Sequence, residues 1–357
     1  MTERNTARIA GSGSCLPESR LSNIDLFGLD SIRDNFDLER ARASLRDAEE
    51  AETMAPEEVF DTWAHQVTGI RERRVLEADD GFPTEGLCAE ACRRALDDAG
   101  MSATDLDLIL VASLTGRDEV PNMACTVADM IGAPNLGGYT LNAACAGFVY
   151  ALATGWSFIA SGMAERLVVV SGDALSRITD YSDPKTAVLF GDGAGAVVLT
   201  AGEPGNGLIG APHLTGGYNR APLFLLGQGW ETEEDPVPKL RMGGGPRILR
   251  HAISSMAEAA GQALQSAGES WDDVDLVIPH QANLRITRGL EKQLDLKRGR
   301  VLHTIENYGN MSASTVAVTL DEALRGVHGT IPDPSLIVLA AIGGGYTSAA
   351  AVIRHRR

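Results

Sequence analysis

The sequence predicts an α/β fold assembled from two similar halves. Two apolar runs of strand length, LILVA at 108–112 and LVIP at 276–279, each follow a segment with the pattern of an amphipathic helix. Continuous apolar strands that alternate with helices are typical of a parallel-rich sheet covered on both faces. The two runs lie in segments that resemble each other, which indicates a duplicated chain.

The duplication is clearest in residues 95–113 and 263–281, whose equivalent positions lie 168 residues apart. Each segment begins as a helix and reaches an Ala-Gly pair, at Gly100 and Gly268, where glycine commonly ends a helix. A short Asp-rich turn then leads into the apolar run. Because both segments show the same order of helix, glycine, turn and strand, they predict the same unit twice.

A second pair of apolar runs supports the repeat. The run that begins at Leu167 is matched by one that begins at Leu336, 169 residues later. We therefore expect an N-terminal half at 1–200 and a C-terminal half at 201–357, packed around a pseudo-twofold axis. Ligands bind at the strand ends of such folds, so the functional residues of both halves should meet near the middle.

Residues 29–58 interrupt the regular pattern. They are heavily charged and contain almost no core-forming run. We expect a solvated helical excursion in the first half. Its role is left open by the sequence, and covering the mouth of the site or contacting a partner are two alternatives.

The composition is that of a globular enzyme and argues against several other classes. The formal charge of −17 disfavours a broad nucleic-acid or anionic-membrane surface. No run approaches the roughly 18 apolar residues of a membrane helix, and the N-terminus lacks an apolar signal core, so we expect a cytoplasmic protein. The five cysteines are scattered, with no CxxC pair, which predicts reduced thiols and no metal site.

Cys145 is the candidate nucleophile. It lies in YTLNAACAGFVYALATG, where a strand-like stretch passes through small residues into a helix. The unpaired N–H groups and the dipole of a helix N-terminus favour a thiolate and lower its pKa. The small neighbours would leave room for a substrate to reach the sulfur. This segment alone leaves the alternative of a buried packing cysteine open.

Two residues of the second half are candidate partners of this cysteine. His280 follows the apolar strand in DLVIPHQANLRI, and Asn310 lies 30 residues later, in a glycine-containing turn before a helix rich in small residues. The repeat places the Asn310 segment opposite the cysteine segment, since Ala313 is the equivalent of Cys145. Taken singly, the histidine is interpreted as a buried structural residue whose hydrogen bonds are satisfied within the protein, and the asparagine as a turn or helix-cap residue. Together the three residues point to thiol chemistry at a shared centre.

These motifs resemble the β-ketoacyl-acyl-carrier-protein synthase III family of the thiolase superfamily. The stretches that carry the resemblance follow in the family's order: TGIRERRV (68–75), AACAGF (143–148), FGDGAGAVVL (190–199), PHQANLRI (279–286), YGNMSAS (308–314) and GGGYTSAAAVIR (343–354). They span the chain apart from 29–58, where family members are shorter. The resemblance implies a thiolase-like fold, in which the duplicated halves form a five-layered αβαβα sandwich, and a homodimer.

The resemblance also implies a mechanism. Cys145 would carry an acyl group as a thioester, and His280 and Asn310 would stabilise the enolate formed when a malonyl thioester loses CO₂. The substrates would be acyl thioesters of coenzyme A or of acyl carrier protein, with no cofactor. Asn283 would support this site. A backbone N–H of the 343–345 turn, at Gly344, would help to bind the oxyanion.

The expected donor site departs from the family's pattern. Members that load from acyl-coenzyme A hold the nucleotide with a tryptophan and two arginines. Trp63 matches the tryptophan, but Val67 and Pro184 stand where the arginines are expected, and Gly245 replaces an assisting asparagine. Loss of both cations removes charge recognition of the phosphates. Loading from an acyl carrier protein, or from another acyl donor, is therefore favoured.

The expected primer pocket departs as well. Val120 stands where acetyl-specific members have a bulky phenylalanine that closes the acyl pocket across the dimer interface. A smaller side chain frees volume there. We therefore expect a primer longer or more branched than acetyl.

The helix after His280 is the expected docking surface for an acidic carrier protein. Its basic residues are Arg285, Arg288, Lys292, Lys297, Arg298 and Arg300. In a protein of charge −17, such a helix offers a local patch for an acidic partner. Arg285 and Lys292 match docking positions of the family. An ordinary solvated helix face is the alternative.

Two functions remain open at this point. The first is decarboxylative condensation of a Cys145-bound primer with malonyl-acyl carrier protein, in fatty-acid or polyketide-type biosynthesis. The second is transfer of the acyl group to a hydroxyl or amine, with His280 as general base. Asn310 favours condensation because an amide cannot titrate. A non-catalytic partner subunit, a third class, is disfavoured by the presence of all three residues.

Overall fold

The computed structural model describes residues 6–77, 83–203, 205–219, 223–227, 239–243 and 246–356. Its strands are β1 (Thr6–Cys15), β2 (Arg20–Ser22), β3 (Glu72–Arg74), β4 (Leu108–Ala112), β5 (Gly138–Leu141), β6 (Arg166–Ala174), β7 (Asp192–Gly202), β8 (Gly207–Leu208), β9 (His213–Asn219), β10 (Leu223–Phe224), β11 (Arg241–Met242), β12 (Leu276–Pro279), β13 (Arg300–Val301), β14 (Ser335–Gly343) and β15 (Gly345–His355). Its α-helices are α1 (Asn23–Phe27), α2 (Asp30–Arg33), α3 (Leu38–Ser44), α4 (Ala48–Thr53), α5 (Pro56–Thr68), α6 (Pro83–Ala99), α7 (Met123–Met130), α8 (Gly147–Ala160), α9 (Pro184–Ala187), α10 (Pro246–Ala267), α11 (Leu284–Leu294), α12 (Ile305–Tyr308) and α13 (Ser314–Leu324).

The first sheet has five strands in the order β1-β7-β6-β4-β5. β4 pairs in parallel with β5 and β6, while β7 pairs antiparallel with β6 and β1. Both faces are buried: on β6, Leu167 and Val169 belong to one apolar cluster, and Val168 and Val170 belong to another. This double burial is why the strand reads as a continuous apolar run.

The second sheet has six strands, in the order β13-β12-β14-β15-β8 with β9 paired to β15. β12 is parallel to β13 and β14, and β14 is antiparallel to β15. On β14, Ile337 and Leu339 lie in the cluster that Leu167 also joins, whereas Val338 and Ala340 lie on the other face. The second sheet therefore repeats the burial pattern of the first. The residue at which one half ends and the other begins stays a prediction.

The two sheets enclose a central layer of helices. One cluster joins Phe148 of α8 and Leu320 of α13 to Val169 of the first sheet and Leu339 of the second. Helices α6 and α7 cover the outer face of the first sheet, and α10 and α11 cover the outer face of the second. The layers follow the order αβαβα. The expected α/β fold and its five-layered sandwich are confirmed.

The repeated helix–glycine–strand units are also confirmed. Gly100 directly follows α6 and has a φ of +64°, and Gly268 directly follows α10 and has a φ of +72°. Glycine adopts this left-handed conformation without a steric penalty, so it stops both helices. β4 and β12 then begin where the apolar runs predicted them.

Residues 29–58 form α2, α3, α4 and the first turn of α5, so the expected helical excursion is confirmed. Most of the segment is exposed, as expected, but a few of its side chains enter the core. Ile32 and Ala51 are fully buried, and the ring of Phe36 packs against Trp63 with centroids 5.1 Å apart. The few apolar residues of this segment face α5, which gives them a common core despite their wide spacing in the sequence.

Within the described ranges, every helix is too short or too polar to span a bilayer. The five cysteines are all free thiols, as expected from their scattered positions.

Candidate active site

The three residues singled out in the sequence line one cavity, which we call the inner cavity. Cys145, His280 and Asn310 border a space of about 240 Å³ together with apolar side chains such as Phe190 and Leu223. They are 6%, 1% and 7% exposed, respectively. The cysteine follows a strand of the first sheet, and the other two residues belong to the second half. The site therefore forms only when the two halves pack together.

A tight turn between β5 and α8 holds Cys145. Ala144, directly before it, has a φ of +48°, which is the left-handed region. The Ala144 N–H donates to Oδ1 of Asn142 at 3.0 Å, and the Ala143 carbonyl accepts from the Thr347 hydroxyl at 2.8 Å. These bonds compensate for the unfavourable backbone conformation. They place Cys145 in the cavity wall at the start of α8.

The expectation that the helix N-terminus lowers the pKa of Cys145 is wrong. Burial raises the pKa of this thiol to about 12. The nearby Ser312 hydroxyl opposes the rise in the pKa, whereas the charge of Asp173 adds to it. The buried thiolate loses its hydration, and this loss outweighs the groups that lower the pKa. Cys145 is therefore a thiol at neutral pH.

The small residues beside Cys145 allow close packing of two helices. A Cβ on Gly147 would lie 3.1 Å from Cβ of Ala112 and 3.4 Å from Cβ of Ala313. Ala146 is fully buried in the central cluster. Larger residues would push α8 and α13 apart, because protein interiors have few voids. The small neighbours thus serve packing, and not only the access of a substrate to the sulfur.

His280 is fixed at the end of β12. Its backbone N–H donates to the Ala340 carbonyl at 2.8 Å, and its Nδ1 lies 2.7 Å from Oγ1 of Thr315. Burial lowers the pKa of His280 to about 3, although a hydrogen bond with the Ser312 backbone partly opposes this. The imidazole is therefore neutral at neutral pH, and a neutral imidazole has a single N–H to donate.

Asn310 is oriented as a hydrogen-bond donor. Its Oδ1 accepts the N–H of Ser312 at 2.9 Å, so Nδ2 is the amide atom that remains for a ligand. Its backbone N–H donates to the Leu189 carbonyl at 2.8 Å, and its carbonyl accepts from the Gly191 N–H at 3.0 Å. These bonds attach the turn before α13 to the segment before β7, across the two halves.

Ser312 and Thr315 are site residues that the sequence analysis missed. The Ser312 N–H holds Asn310, its carbonyl oxygen lies 3.0 Å from the Thr315 hydroxyl oxygen, and its side chain lies near Cys145. Thr315 in turn contacts His280. The available signal was the motif SAST at the start of α13, because several hydroxyl side chains at buried positions are unusual.

The 343–345 turn lies against Cys145. A Cβ on Gly343 would lie 2.9 Å from the backbone nitrogen of Cys145 and 2.9 Å from the Ala143 carbonyl oxygen. Those are backbone atoms that cannot give way, so only glycine fits. Gly344 lines the inner cavity, and its nearest neighbour is Leu223. The turn thus approaches the Cys145 amide through Gly343.

Asn283 also lines the inner cavity, but its side chain bonds to backbone groups outside it. Its Nδ2 donates to the Val67 carbonyl at 3.0 Å, and its Oδ1 accepts the Arg285 N–H at 2.9 Å as the N-cap of α11. It therefore connects the end of α5 to the start of α11. Its contribution to the site is to hold these two elements together.

The remaining predicted residues lie away from Cys145. Trp63, Val67 and Pro184 line a second cavity, which we call the outer cavity. Val120 is 90% exposed in the loop after β4. Gly245 lies outside the described residues.

The predicted docking residues lie on the surface of α11. The Arg285 guanidinium is exposed and donates to the Gln66 carbonyl at 3.0 Å. Arg288 and Lys292 are exposed further along the same helix. These three residues share an exposed face of α11. The expectation that Lys297, Arg298 and Arg300 belong to the same helix is wrong, because α11 ends at Leu294, and Lys297 and Arg298 form ion pairs with Asp295 and Asp275.

Sequence comparisons identify one family of similar proteins. The profile described as 3-Oxoacyl-[acyl-carrier-protein (ACP)] synthase III matches residues 139–215, and the profile of its C-terminal part matches residues 264–355. The chain is 36% identical over 355 residues to the beta-ketoacyl-[acyl-carrier-protein] synthase III of Geobacillus kaustophilus, covering 98% of this chain and 99% of that protein. It is 37% identical over 357 residues to the protein of the same name from Sphingopyxis alaskensis, covering 99% and 100%.

Solved structures agree with the sequence comparisons. The 3-oxoacyl-[acyl-carrier-protein] synthase III of Aquifex aeolicus is 32% identical, with a TM-score of 0.81 and coverage of 98% of this chain and 100% of that one. The priming beta-ketosynthase from the R1128 polyketide biosynthetic pathway is 30% identical, with a TM-score of 0.83 and coverage of 100% and 98%.

Proposed function

The chain belongs to the β-ketoacyl-[acyl-carrier-protein] synthase III family, and from this premise we propose how its residues carry out the reaction. It is an acyltransferase that makes a β-ketoacyl product from an acyl primer and malonyl-acyl carrier protein. We infer that Cys145 carries a primer longer or more branched than acetyl. We infer further that His280 and Asn310 act on the malonyl thioester, in fatty-acid or polyketide-type biosynthesis.

The first step is acyl transfer to Cys145. Its sulfur attacks the carbonyl carbon of the donor thioester, the donor's C–S bond breaks, and the donor leaves as a thiol with the cysteine's proton. Because burial keeps Cys145 protonated, the proton leaves only during the attack. Backbone N–H groups of Cys145 and of the turn that contains Gly344 bind the oxyanion.

The second step is loss of CO₂ from the malonyl thioester. An N–H of the neutral His280 imidazole and Nδ2 of Asn310 donate to the thioester oxygen, which becomes an enolate as the C–C bond to the carboxylate breaks. Each such donor contributes about 10²–10³ in rate. Neither group has to change its protonation state.

The third step is carbon–carbon bond formation. The enolate carbon attacks the carbonyl carbon of the acyl-cysteine, and the C–S bond to Cys145 breaks. The released sulfur takes a proton from solvent, which restores the thiol. The β-ketoacyl product, two carbons longer than the primer, stays on the carrier protein.

The size of the primer depends on a second copy of the chain. Val120 is 90% exposed, which suits a side chain that enters the acyl pocket of a partner subunit in a homodimer. Valine fills less volume there than an aromatic ring would. The primer is therefore longer or more branched than acetyl.

One observation carries the condensation proposal. The inner cavity brings a thiol together with two groups that donate hydrogen bonds while neutral. Neutral donors suit a developing enolate, because they stabilise its charge without transferring a proton to it.

Intact-mass measurement with an acyl-donor panel tests the first step, and release of labelled CO₂ from malonyl-carrier tests the second. We expect one acyl group per chain, its loss in Cys145→Ser, and its retention in Cys125→Ser, which changes an exposed cysteine outside the site. Acylation without CO₂ release or a β-keto product, over the whole panel, would rule out condensation.

Acyl transfer to a hydroxyl or amine is the second candidate, and the low pKa of His280 is the observation that favours it. An unprotonated imidazole can accept the proton of an acceptor alcohol or amine. In that case labelled primer would leave acyl-Cys145 when an acceptor is added, and no CO₂ would appear.

A further inference from the structure

The outer cavity lies next to the inner one. Its volume is about 710 Å³, and Leu189 and Asn283 line both cavities. A long thioester with its carbonyl at Cys145 can therefore extend through the outer cavity. Within the described residues, the segment 29–58 contributes to its wall Asn35, Phe36, Asp37, Arg40, Ala41 and Ser44.

This wall is packed against the body of the protein. The ring of Phe36 contacts Trp63, with centroids 5.1 Å apart, and Phe60, with centroids 4.8 Å apart. Ala41 and Leu45 are buried against α5 in the same region. Helix α3 is therefore held in a defined place, and its polar residues face the outer cavity from fixed positions.

Three cations line the outer cavity: Arg40 from α3, Lys185 and Arg285. All three are exposed, and none has an ion-pair partner in the part of the chain that the structure describes. The guanidinium of Arg285 is steadied by its hydrogen bond to the Gln66 carbonyl. Exposed cations without partners are notable in a protein of charge −17.

The two carboxylates of the outer cavity are already engaged. Asp37 accepts the backbone N–H of Arg40 at 3.0 Å. Asp183 accepts the backbone N–H of Lys185 at 3.1 Å and the hydroxyl of Thr186 at 2.5 Å. Both act as helix caps, so the side chains of Arg40 and Arg285 remain available to an anion.

We propose that Arg40 and Arg285 bind the phosphate of the phosphopantetheine arm that carries the acyl thioester. This proposal rests on the proposed function, which places the thioester end of the arm at Cys145. The phosphate end of the arm then lies in the outer cavity. Guanidinium groups bind phosphate oxygens through paired N–H donors. Arg40 lies in 29–58, so this segment supplies a cation that the cavity lacks at Val67 and Pro184.

The same arm occurs in coenzyme A and in carrier proteins. Three acyl donors therefore distinguish binding of the phosphate from binding of the rest of the donor. They are the acyl-coenzyme A, the acyl-carrier protein and the acyl-pantetheine thioester, which has no phosphate. Acylation of Cys145 is followed by intact mass at low donor concentration. In Arg40→Ala we expect about tenfold slower acylation by the two phosphorylated donors and an unchanged rate with acyl-pantetheine.

Arg46→Ala is the matched control. Arg46 is an exposed arginine of the same segment, but it lines a different cavity, and we expect the wild-type rate with all three donors. Equal slowing with acyl-pantetheine in Arg40→Ala would mean that Arg40 only supports the fold of α3. Slowing with the carrier alone would mean that Arg40 contacts the carrier's surface. Either result overturns the phosphate assignment.

A binding measurement separates this proposal from the condensation itself. In the Cys145→Ala protein, calorimetry should show phosphopantetheine bound about tenfold more tightly than pantetheine, with the difference lost when Arg40→Ala is added. That result would stand even if no CO₂ were released in the condensation assay. Equal binding of the two compounds would refute the phosphate site while leaving the condensation intact.

Discussion

Nδ1 of His280 lies 2.7 Å from Oγ1 of Thr315, and both residues are buried. The same oxygen accepts the N–H of Gln281 at 3.2 Å and lies 3.0 Å from the carbonyl of Ser312. A hydroxyl has one proton, so Thr315 donates either to Ser312 or to His280. When it donates to His280, Nδ1 is the acceptor and the imidazole proton is on Nε2. The proposed enolate stabilisation requires this tautomer.

Replacing Thr315 by valine removes the hydroxyl with little change in shape. We expect decarboxylation to fall about 10²-fold, because His280 no longer holds its proton on Nε2, while acylation of Cys145 continues. ¹⁵N NMR of the imidazole should show the change of tautomer. Thr315→Ser retains the hydroxyl and should therefore retain both the decarboxylation rate and the imidazole tautomer. A valine variant with an unaltered tautomer and a normal condensation rate would contradict this role.

Asn310→Asp tests the amide donor. The substitution keeps Oδ1 for the Ser312 N–H but replaces the Nδ2 donor by an oxygen. We expect CO₂ release from malonyl-carrier to fall about 10²–10³-fold while acyl-Cys145 still forms. Asn122→Asp is the matched control, because Oδ1 of Asn122 caps α7 and a carboxylate performs the same role. Similar losses in both variants would refute a specific donor at Asn310.

The high pKa of Cys145 predicts a steep pH dependence of its alkylation. Only the thiolate reacts, and its fraction rises tenfold per pH unit below a pKa of about 12. The rate of iodoacetamide labelling should therefore increase without a plateau up to about pH 9. Mass spectrometry of the Cys145 peptide measures it, with Cys145→Ser as the blank. A plateau near pH 7 would show that the thiolate is stabilised after all.

Val120→Phe tests the primer pocket. The side chain is 90% exposed in one protomer, so the free energy of unfolding should change by less than about 0.5 kcal/mol. In the proposed homodimer, a larger ring at this position would fill the partner's acyl pocket. We expect the ratio of acetyl to longer-chain loading on Cys145 to rise about tenfold, which is the order of one or two methylenes. An unchanged acyl profile, or a monomer in light scattering, would place the pocket elsewhere.

Lys292→Glu tests carrier-protein docking on α11. An acidic carrier should bind less tightly, so the KM for malonyl-carrier should rise and its dependence on salt should weaken. Acylation by a small pantetheine thioester should not change. Arg166→Glu is the control for net charge, because it reverses the charge of an exposed side chain at the start of β6. Equal effects of the two reversals would mean that only the overall charge matters.

The sequence was sufficient for the parts of the site that depend on local pattern. Apolar strand runs located β4 and β12, and the glycines that follow α6 and α10 were identified by their place after a helix. The repeat then indicated that Cys145 and the second-half residues meet, and the structure places Cys145, His280 and Asn310 in one cavity. Periodicity and spacing carry this information because they are properties of neighbouring residues.

Other features could not be read from local pattern. The pKa of Cys145 was expected to fall because its place before α8 is visible in the sequence, whereas the depth of its burial is not. Residues 29–58 were expected to be solvated because their apolar residues are few, yet Phe36, in the loop between α2 and α3, packs against Trp63 of α5. The links from Ser312 and Thr315 to the three site residues also went unseen, since hydrogen bonds depend on atoms brought together by folding.

By itself, the sequence determined the α/β class, the repeated helix–glycine–strand unit and the three residues proposed to carry the chemistry, because strand burial and helix ends follow from the order of side chains. Only the tertiary structure decided the protonation of Cys145 and His280 and the place of Arg40 beside the outer cavity. The physical reason is that desolvation and hydrogen bonding act over a few ångströms of space. Residues far apart in the chain supply the atoms within that distance.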